Sequence, residues 1–217
     1  MKRVIIAGAS GLIGSELLKL LLSDRRIGEV LALVRSPLSL SHHKLQQISL
    51  NFDKLSDMKE KLVGDVLYCC LGTTRKKSPN PNDYRQVDFY YPLELGKIAQ
   101  ENKISQYHLI SALGANSSST LSYNRLKGET EQALKQISLH ALHIYQPSLL
   151  IGNRTEYRAL EKLSINLMAF VNPLLLGKFK KYRSIKAITV AKAMINQTFK
   201  QGGGIFTYPS HIIKELA

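Results

Sequence analysis

Tyr123 and Lys127 stand four residues apart, a spacing that puts both side chains on one face if the segment is helical. A phenol with an ordinary pKa of ~10 is a weak acid–base catalyst at neutral pH. An ammonium beside it favours the phenolate and brings the group nearer its working range. Ser111 lies twelve residues before Tyr123, at the end of the apolar run His108–Ser111. Its hydroxyl would bind a carbonyl oxygen next to the Tyr123 hydroxyl. Alone, the Tyr-x-x-x-Lys pattern recurs by chance, and a partly buried tyrosine with an exposed lysine is the competing interpretation.

A second motif upstream favours the chemical interpretation. Gly8-Ala9-Ser10-Gly11-Leu12-Ile13-Gly14 follows an apolar run, Arg3–Ala7, and opens an amphipathic segment. Glycines at this spacing permit a tight turn, let the backbone approach a pyrophosphate, and allow a helix to pack closely on a strand. The N–H groups around Ser10, Leu12 and Ile13 and the positive end of the helix would face the phosphates. A purely structural strand–helix turn is the alternative. Arg35, 21 residues after Gly14, is followed by Ser36 where an NAD-binding chain would carry a carboxylate for the ribose 2′-hydroxyl. An arginine there suits a 2′-phosphate, so the expected cofactor is NADP(H), ahead of NAD(H). Arg35 as a solvated strand-end residue is the bland alternative.

The elements that must position these residues alternate along the chain. Strand patterns fall at Arg3–Ala7, Glu29–Val34, Leu45–Leu50, Asp65–Leu71, up to Ser111, Leu142–Gln146 and Ile205–Tyr208. Helical patterns fall at Gly11–Leu22, Asp57–Leu62, Tyr84–Asn102, Leu121–Ile137, Glu156–Phe170 and Ile185–Lys200, with a last helical turn opened by Pro209. Asp65–Leu71 is apolar on both faces, the signature of a central parallel strand. The expected fold class is α/β: a Rossmann-type doubly wound parallel sheet in three α/β/α layers, one domain over 1–217, with a small substrate or lid portion over about 148–217.

Composition narrows the partners. The 30 basic and 16 acidic residues leave a formal charge of +14. The tightest basic clusters, Arg75-Lys76-Lys77 and Lys178–Arg183, accompany no nucleic-acid motif, so a basic surface with a polyanionic cofactor is the simpler interpretation and no specific nucleic acid is expected. The two cysteines, Cys69 and Cys70, are adjacent and point to opposite faces of a strand, so they are expected to be free thiols in a reducing, cytoplasmic compartment. The six histidines show no metal-ligand spacing, and His140 and His143 would face opposite ways on a strand. The N-terminal Met1-Lys2-Arg3 and Val4–Ala7 imitate a signal peptide, but Gly8, Ser10, Gly11 and Gly14 interrupt it at once. No apolar stretch is long enough for a spanning helix. Leu163–Leu176, the nearest candidate, contains Asn166, Asn172 and Pro173 and suits a lid or core segment better. Arg154 and Arg158 are open to an anionic substrate group or to solvent alike.

The order glycine motif, Ser111, Tyr123, Lys127 resembles the short-chain dehydrogenases/reductases, in their extended or atypical branch. The likeness is closer to the Tat-interacting oxidoreductase family, through Cys69-Cys70-Leu71-Gly72-Thr73-Thr74-Arg75, Val87-Asp88, Gly114-Ala115, Lys127-Gly128-Glu129 and Tyr208–Leu216. That resemblance implies Tyr123 as general acid in carbonyl reduction, Lys127 holding the nicotinamide ribose, and Ser111 orienting substrate. It implies that Gly72 and Thr73 line the cofactor, and that Pro147, Leu149 and Leu150 border the nicotinamide. Many relatives carry an asparagine on the helix after the fourth strand, supporting a water relay to the lysine. Asp88 stands near there instead, which puts that relay in doubt. The leading expectation is an NADPH-dependent reductase of a small carbonyl substrate. The alternative is an NADP(H)-binding redox sensor that regulates a protein partner without turnover. An epimerase or dehydratase on a nucleotide sugar would need a larger C-terminal lobe than the seventy residues after Pro147. A homodimer is compatible with each, and the sequence does not fix it.

Overall fold

The computed structural model describes residues 1–73, 80–151 and 182–217. Seven parallel strands form one sheet in the spatial order β3-β2-β1-β4-β5-β6-β9. They are β1 (Lys2–Ala7), β2 (Ile27–Val34), β3 (Leu45–Ser49), β4 (Val66–Cys69), β5 (Gln106–Ile110), β6 (Ala141–Gln146) and β9 (Gly204–Pro209). This is the doubly wound order expected. Two-residue strands β7 (Leu150–Ile151) and β8 (Ile185–Lys186) pair separately, also in parallel.

The central strands read as unbroken apolar runs because each buries both faces. Val4 and Ile6 of β1 pack under α1 (Leu12–Ser23), α5 (Ala187–Thr198) and α6 (Ser210–Glu215), with Leu17, Leu21, Val190, Met194 and Ile213. Ile5 and Ala7 face the other layer, where α3 (Tyr91–Glu101) and α4 (Ser122–Lys135) contribute Leu95, Ile98 and Leu134. Fully burying a leucine or isoleucine is worth about 1.5–3 kcal/mol, so these two layers dominate the stability of the fold.

Local departures from the sequence expectations have physical causes. The helix expected at Asp57–Leu62 is a 3-10 segment over Phe52–Lys61, kinked at Lys54. Its buried side chains, Phe52 and Leu55, lie three apart, the period of a 3-10 turn. The helix expected at Tyr84–Asn102 begins as α2 (Pro81–Arg85), where the Asn80 side chain accepts from the Asn82 N–H and Pro81 occupies the first turn. It then passes through a π turn, Gln86–Tyr90, before α3. The helix expected from Ile185 starts at Ala187, because Ile185 and Lys186 pair with Leu150 and Ile151. Both cysteines are free, Cys69 buried and Cys70 only partly so. Glu156–Phe170, Leu163–Leu176, Arg75 to Lys77, Arg154, Arg158, Lys178, Lys180 and Lys181 lie outside the described residues.

Candidate functional site

The strand order reverses between β1 and β4, and in open parallel sheets the crevice beyond the carboxyl ends of such strands is where ligands bind. Ala7 of β1 sits in register with Cys69 of β4, so the Gly8 turn and the Cys70–Thr73 segment leave the sheet side by side. Gly8 adopts φ +86°, and a Cβ there would lie 2.5 Å from Cys70 O. A Cβ on Gly14 would lie 2.1 Å from Gly8 O. These two glycines are demanded by close approach of backbone to backbone. Gly11 is different: its φ of −76° is ordinary, and its Cβ would lie 3.2 Å from Gly8 O and 3.8 Å from Cys70 O. Gly11 N–H donates to Gly8 O at 3.0 Å, which closes the turn. No side chain caps α1, and its first turn holds no acidic residue. Ser10 is exposed and Leu12 half-buried at its start, while Ile13 anchors it in the core. A helix end left open in this way suits an anion.

Arg35 follows the last residue of β2, exposed, beside β1 in the sheet. Its charge is felt by Tyr91, whose hydroxyl donates to Asp53 Oδ1 at 2.6 Å. Burial and that carboxylate both hold the Tyr91 phenol well above its usual range.

On the other side of the crevice stands α4. Tyr123 is 44% exposed in its first turn. Lys127, one turn on, is buried at 6%, and its ammonium lies 2.8 Å from Asp88 Oδ1. Burial opposes the charge on Lys127, but the Asp88 carboxylate, with Tyr123 and Cys69 nearby, holds its pKa above the ordinary lysine value. Asp88 is 1% exposed and belongs to the π turn. Its Oδ2 accepts the Thr73 N–H at 2.8 Å, and its backbone carbonyl accepts the Thr130 hydroxyl at 2.9 Å. Arg85 adds a 2.6 Å ion pair to Glu129 across the same seam. Gly72 would place a Cβ 3.7 Å from Asp88 Oδ1 and 3.9 Å from Lys127 Nζ, so the lysine, the aspartate and the end of β4 converge on one spot.

Ser111 is 3% exposed, and its hydroxyl donates to Glu131 on α4. Glu131 is itself buried at 4% and also accepts from Gln146 Nε2 at 2.9 Å and 3.1 Å. The Ser111 hydroxyl therefore ties β5, β6 and α4 together. Leu113 N–H donates to Pro147 O, which extends the β5–β6 alignment past the sheet edge. Beyond it Pro147 is buried, Leu149 is 44% exposed and Leu150 enters β7. Asp88 and Glu131 are the site residues that spacing alone did not single out as partners. A signal for Glu131 was present: Tyr123, Lys127 and Glu131 repeat every four residues along one stripe of α4. Among the described residues no histidine, cysteine or carboxylate cluster is arranged for a metal.

A family model described as NAD(P)H-binding matches residues 8–171. Protein HTATIP2 of Rattus norvegicus is 30% identical over 207 residues, which covers 94% of this chain and 84% of that protein. Protein FMP52, mitochondrial, of Candida albicans is 29% identical over 160 residues, covering 71% of this chain and 70% of its own. Among solved structures, the Bordetella bronchiseptica enzyme WbmH in complex with NAD+ superposes with a TM-score of 0.69 at 16% identity, covering 99% of this chain and 78% of WbmH. UDP-N-acetylglucosamine 4-epimerase from Methanobrevibacter ruminantium does so with a TM-score of 0.69 at 17% identity, covering 96% and 76%. At such identities these two speak for the fold alone. No helix among the described residues is long and apolar enough to cross a membrane. The cytoplasmic expectation drawn from the thiols finds no counterpart in the FMP52 relatives, which are named mitochondrial. The family model spans well over half the sequence and the rat relative aligns nearly end to end, and on both grounds the chain belongs to the NAD(P)H-binding family, alongside HTATIP2.

Proposed function

We propose that this protein is an NADP(H)-dependent oxidoreductase that reduces a small carbonyl compound. The observation that carries the proposal is the placement, one turn apart on α4, of a half-exposed phenol, Tyr123, and a buried lysine, Lys127, whose ammonium meets Asp88 beside the end of β4, across the crevice from the open N-terminus of α1. Gly8, Ser10, Gly11, Leu12, Ile13 and Gly14 would cradle the pyrophosphate, and Arg35 would meet the 2′-phosphate that distinguishes NADPH from NADH. Gly72, Thr73 and the segment from Pro147 to Leu150 would flank the nicotinamide end. The bound cofactor supplies the hydride. Lys127, held in place by Asp88, has two further N–H donors for ribose hydroxyls. Tyr123 donates its proton to the carbonyl oxygen as negative charge develops there, and its exposure lets water return that proton.

One feature favours a second reading. The Ser111 hydroxyl is committed to Glu131, so a substrate carbonyl would lack that donor. A chain that bound NADP(H) and reported redox state to a protein partner would have no use for it. NADPH oxidation measured over a panel of aldehydes and ketones separates the two. The reductase reading expects turnover that Tyr123→Phe lowers by at least about a hundredfold. Tight NADPH binding with no turnover on any carbonyl supports the sensor, and full turnover by Tyr123→Phe refutes the assigned mechanism.

A further inference from the structure

We propose that Gln47 is the positioning residue for the 2′-phosphate end of the cofactor: its side-chain amide pins the chain just past β2, so that Arg35 and Ser36 are presented on a short, pre-formed arch. The role rests on the reading of Arg35 as the partner of that phosphate, and it can be measured without turnover. Three hydrogen bonds carry it. Gln47 Oε1 accepts the Leu38 N–H at 2.7 Å, and Gln47 Nε2 donates to Leu38 O at 3.3 Å and to Leu40 O at 3.1 Å. The amide thus satisfies both backbone polar groups of Leu38, as a neighbouring strand would.

The chain around it shows why a side chain is needed there. Ten residues separate Val34, the end of β2, from Leu45, the start of β3. A connection of that length has many closed conformations. Its two ends are tied: Leu50 N–H donates to Val34 O at 3.0 Å, and Leu45 N–H donates to His42 O at 2.9 Å. Lys44 is committed at the far end, its ammonium donating to Asp24 O at 2.8 Å. Gln47 stands in register with Ala32 of β2 and, like Leu45, emerges on the face that α1 covers. Leu38 packs against the core on that same face. With Leu38 held, only Arg35, Ser36 and Pro37 span from it back to Val34, and all three are exposed. Pro37 fixes its own φ and restricts Ser36 to extended conformations.

The consequence for binding is one of order already present. Each backbone residue that has to be ordered when a ligand binds costs affinity. On an arch fixed beforehand, Arg35 gives up side-chain freedom alone. A guanidinium also meets phosphate oxygens in a fixed fork, so its reach depends on where its own backbone stands. NADH carries no 2′-phosphate. A slack arch therefore takes away the advantage of NADPH and leaves NADH nearly untouched, whereas a general loss of structure would weaken both.

Fluorescence titrations with NADPH and with NADH test the role. Gln47→Met keeps the length of the side chain and removes all three hydrogen bonds. It is expected to weaken NADPH at least about fivefold and to leave NADH within about twofold of the parent. In an Arg35→Ala background the same substitution is expected to change NADPH affinity by less than about twofold, because the two residues act through one contact. Amide exchange at Leu38 is expected to quicken at least about tenfold in Gln47→Met, which reads the pinning itself. Gln47→Asn, whose amide stops one methylene short, replaces the methionine variant if that one does not fold, with the same outcomes expected. Equal weakening of both nucleotides, unchanged NADPH affinity, unchanged exchange at Leu38, or a full effect in the Arg35→Ala background each overturns the proposal. Arg35→Ala separates the two levels. If it abolishes the NADPH preference while Gln47→Met leaves that preference intact, the positioning role alone falls. If it leaves the preference unchanged, the reading of Arg35 falls and the role of Gln47 with it.

Discussion

Lowering the pH from 7 to 5 is expected to destabilise this protein through two buried histidines. His108 and His143 are register partners on β5 and β6, stacked with ring centroids 4.4 Å apart, and they are 0% and 3% exposed. His108 Nδ1 shares a hydrogen bond with Tyr145 Oη, and His143 Nδ1 shares one with Tyr208 Oη. Burial pushes both pKa values down, that of His143 to about 4. The unfolded chain takes up a proton at each histidine below about pH 6.5, whereas the folded chain resists until its own lower pKa is reached. Stability is therefore complete above about pH 6.5 and declines as the pH falls toward the folded value. For His143 the loss between pH 7 and pH 5 is about 2 kcal/mol. A histidine kept neutral at pH 5 contributes at most about that much, so His108 brings the total to no more than about 4 kcal/mol. Domains have only about 5–15 kcal/mol in all, so the loss is large enough to read. Urea unfolding at the two pH values measures it. His143→Phe preserves the stack between His108 and Phe206, gives up the Tyr208 hydrogen bond equally at both pH values, and is expected to remove about half of the pH dependence. Equal losses in the parent and in His143→Phe would refute the reasoning.

Three further outcomes are expected. Gly14→Ala drives a Cβ to 2.1 Å from Gly8 O, a contact with backbone on both sides, and is expected to cost about 1–3 kcal/mol or more in denaturant unfolding. Wild-type stability there would show that the turn yields more easily than the geometry allows. Arg35→Asp is expected to shift preference from NADPH toward NADH by at least about tenfold in paired titrations, and unchanged preference would remove Arg35 from the cofactor site. Ser111→Ala deprives the buried Glu131 of a donor and is expected to cost about 1–3 kcal/mol in stability. Turnover per folded molecule should change by less than about tenfold. A far larger loss of turnover at unchanged stability would return Ser111 to the substrate.

The alternation of strands and helices, and with it the doubly wound class, was legible because its cause is local: apolar runs of strand length, a glycine turn, and amphipathic stretches between them. Asp65–Leu71 was recognisable as a central strand from its apolar residues on both faces, and Arg3–Ala7 as a strand. The π turn was not, since no residue type demands it. It follows from Lys127 and Thr130 reaching across from a helix some forty residues later. Strands β7 and β8 were missed for a similar reason, because two-residue strands separated by more than thirty residues have no period to detect. At the site, the types and spacing of Tyr123 and Lys127 placed them together on α4. The fate of Ser111 depended on Glu131 and Gln146, a buried network spanning three elements that only the folded chain brings together.

Gly11 separates folding from cofactor binding more cleanly than any other residue of the cradle. Its φ is ordinary, and an added Cβ would lie 3.2 Å from Gly8 O and 3.8 Å from Cys70 O, contacts that a shift of a few tenths of an ångström relieves. Gly11→Ala should therefore fold, with a stability cost of about 1 kcal/mol, a few degrees in melting temperature. Fluorescence titration with NADPH is expected to show saturable binding by the parent protein and at least about tenfold weaker binding by Gly11→Ala. Equal affinity in the two proteins, or no binding of NADPH or NADH to the parent, would contradict the placement of a dinucleotide on this turn.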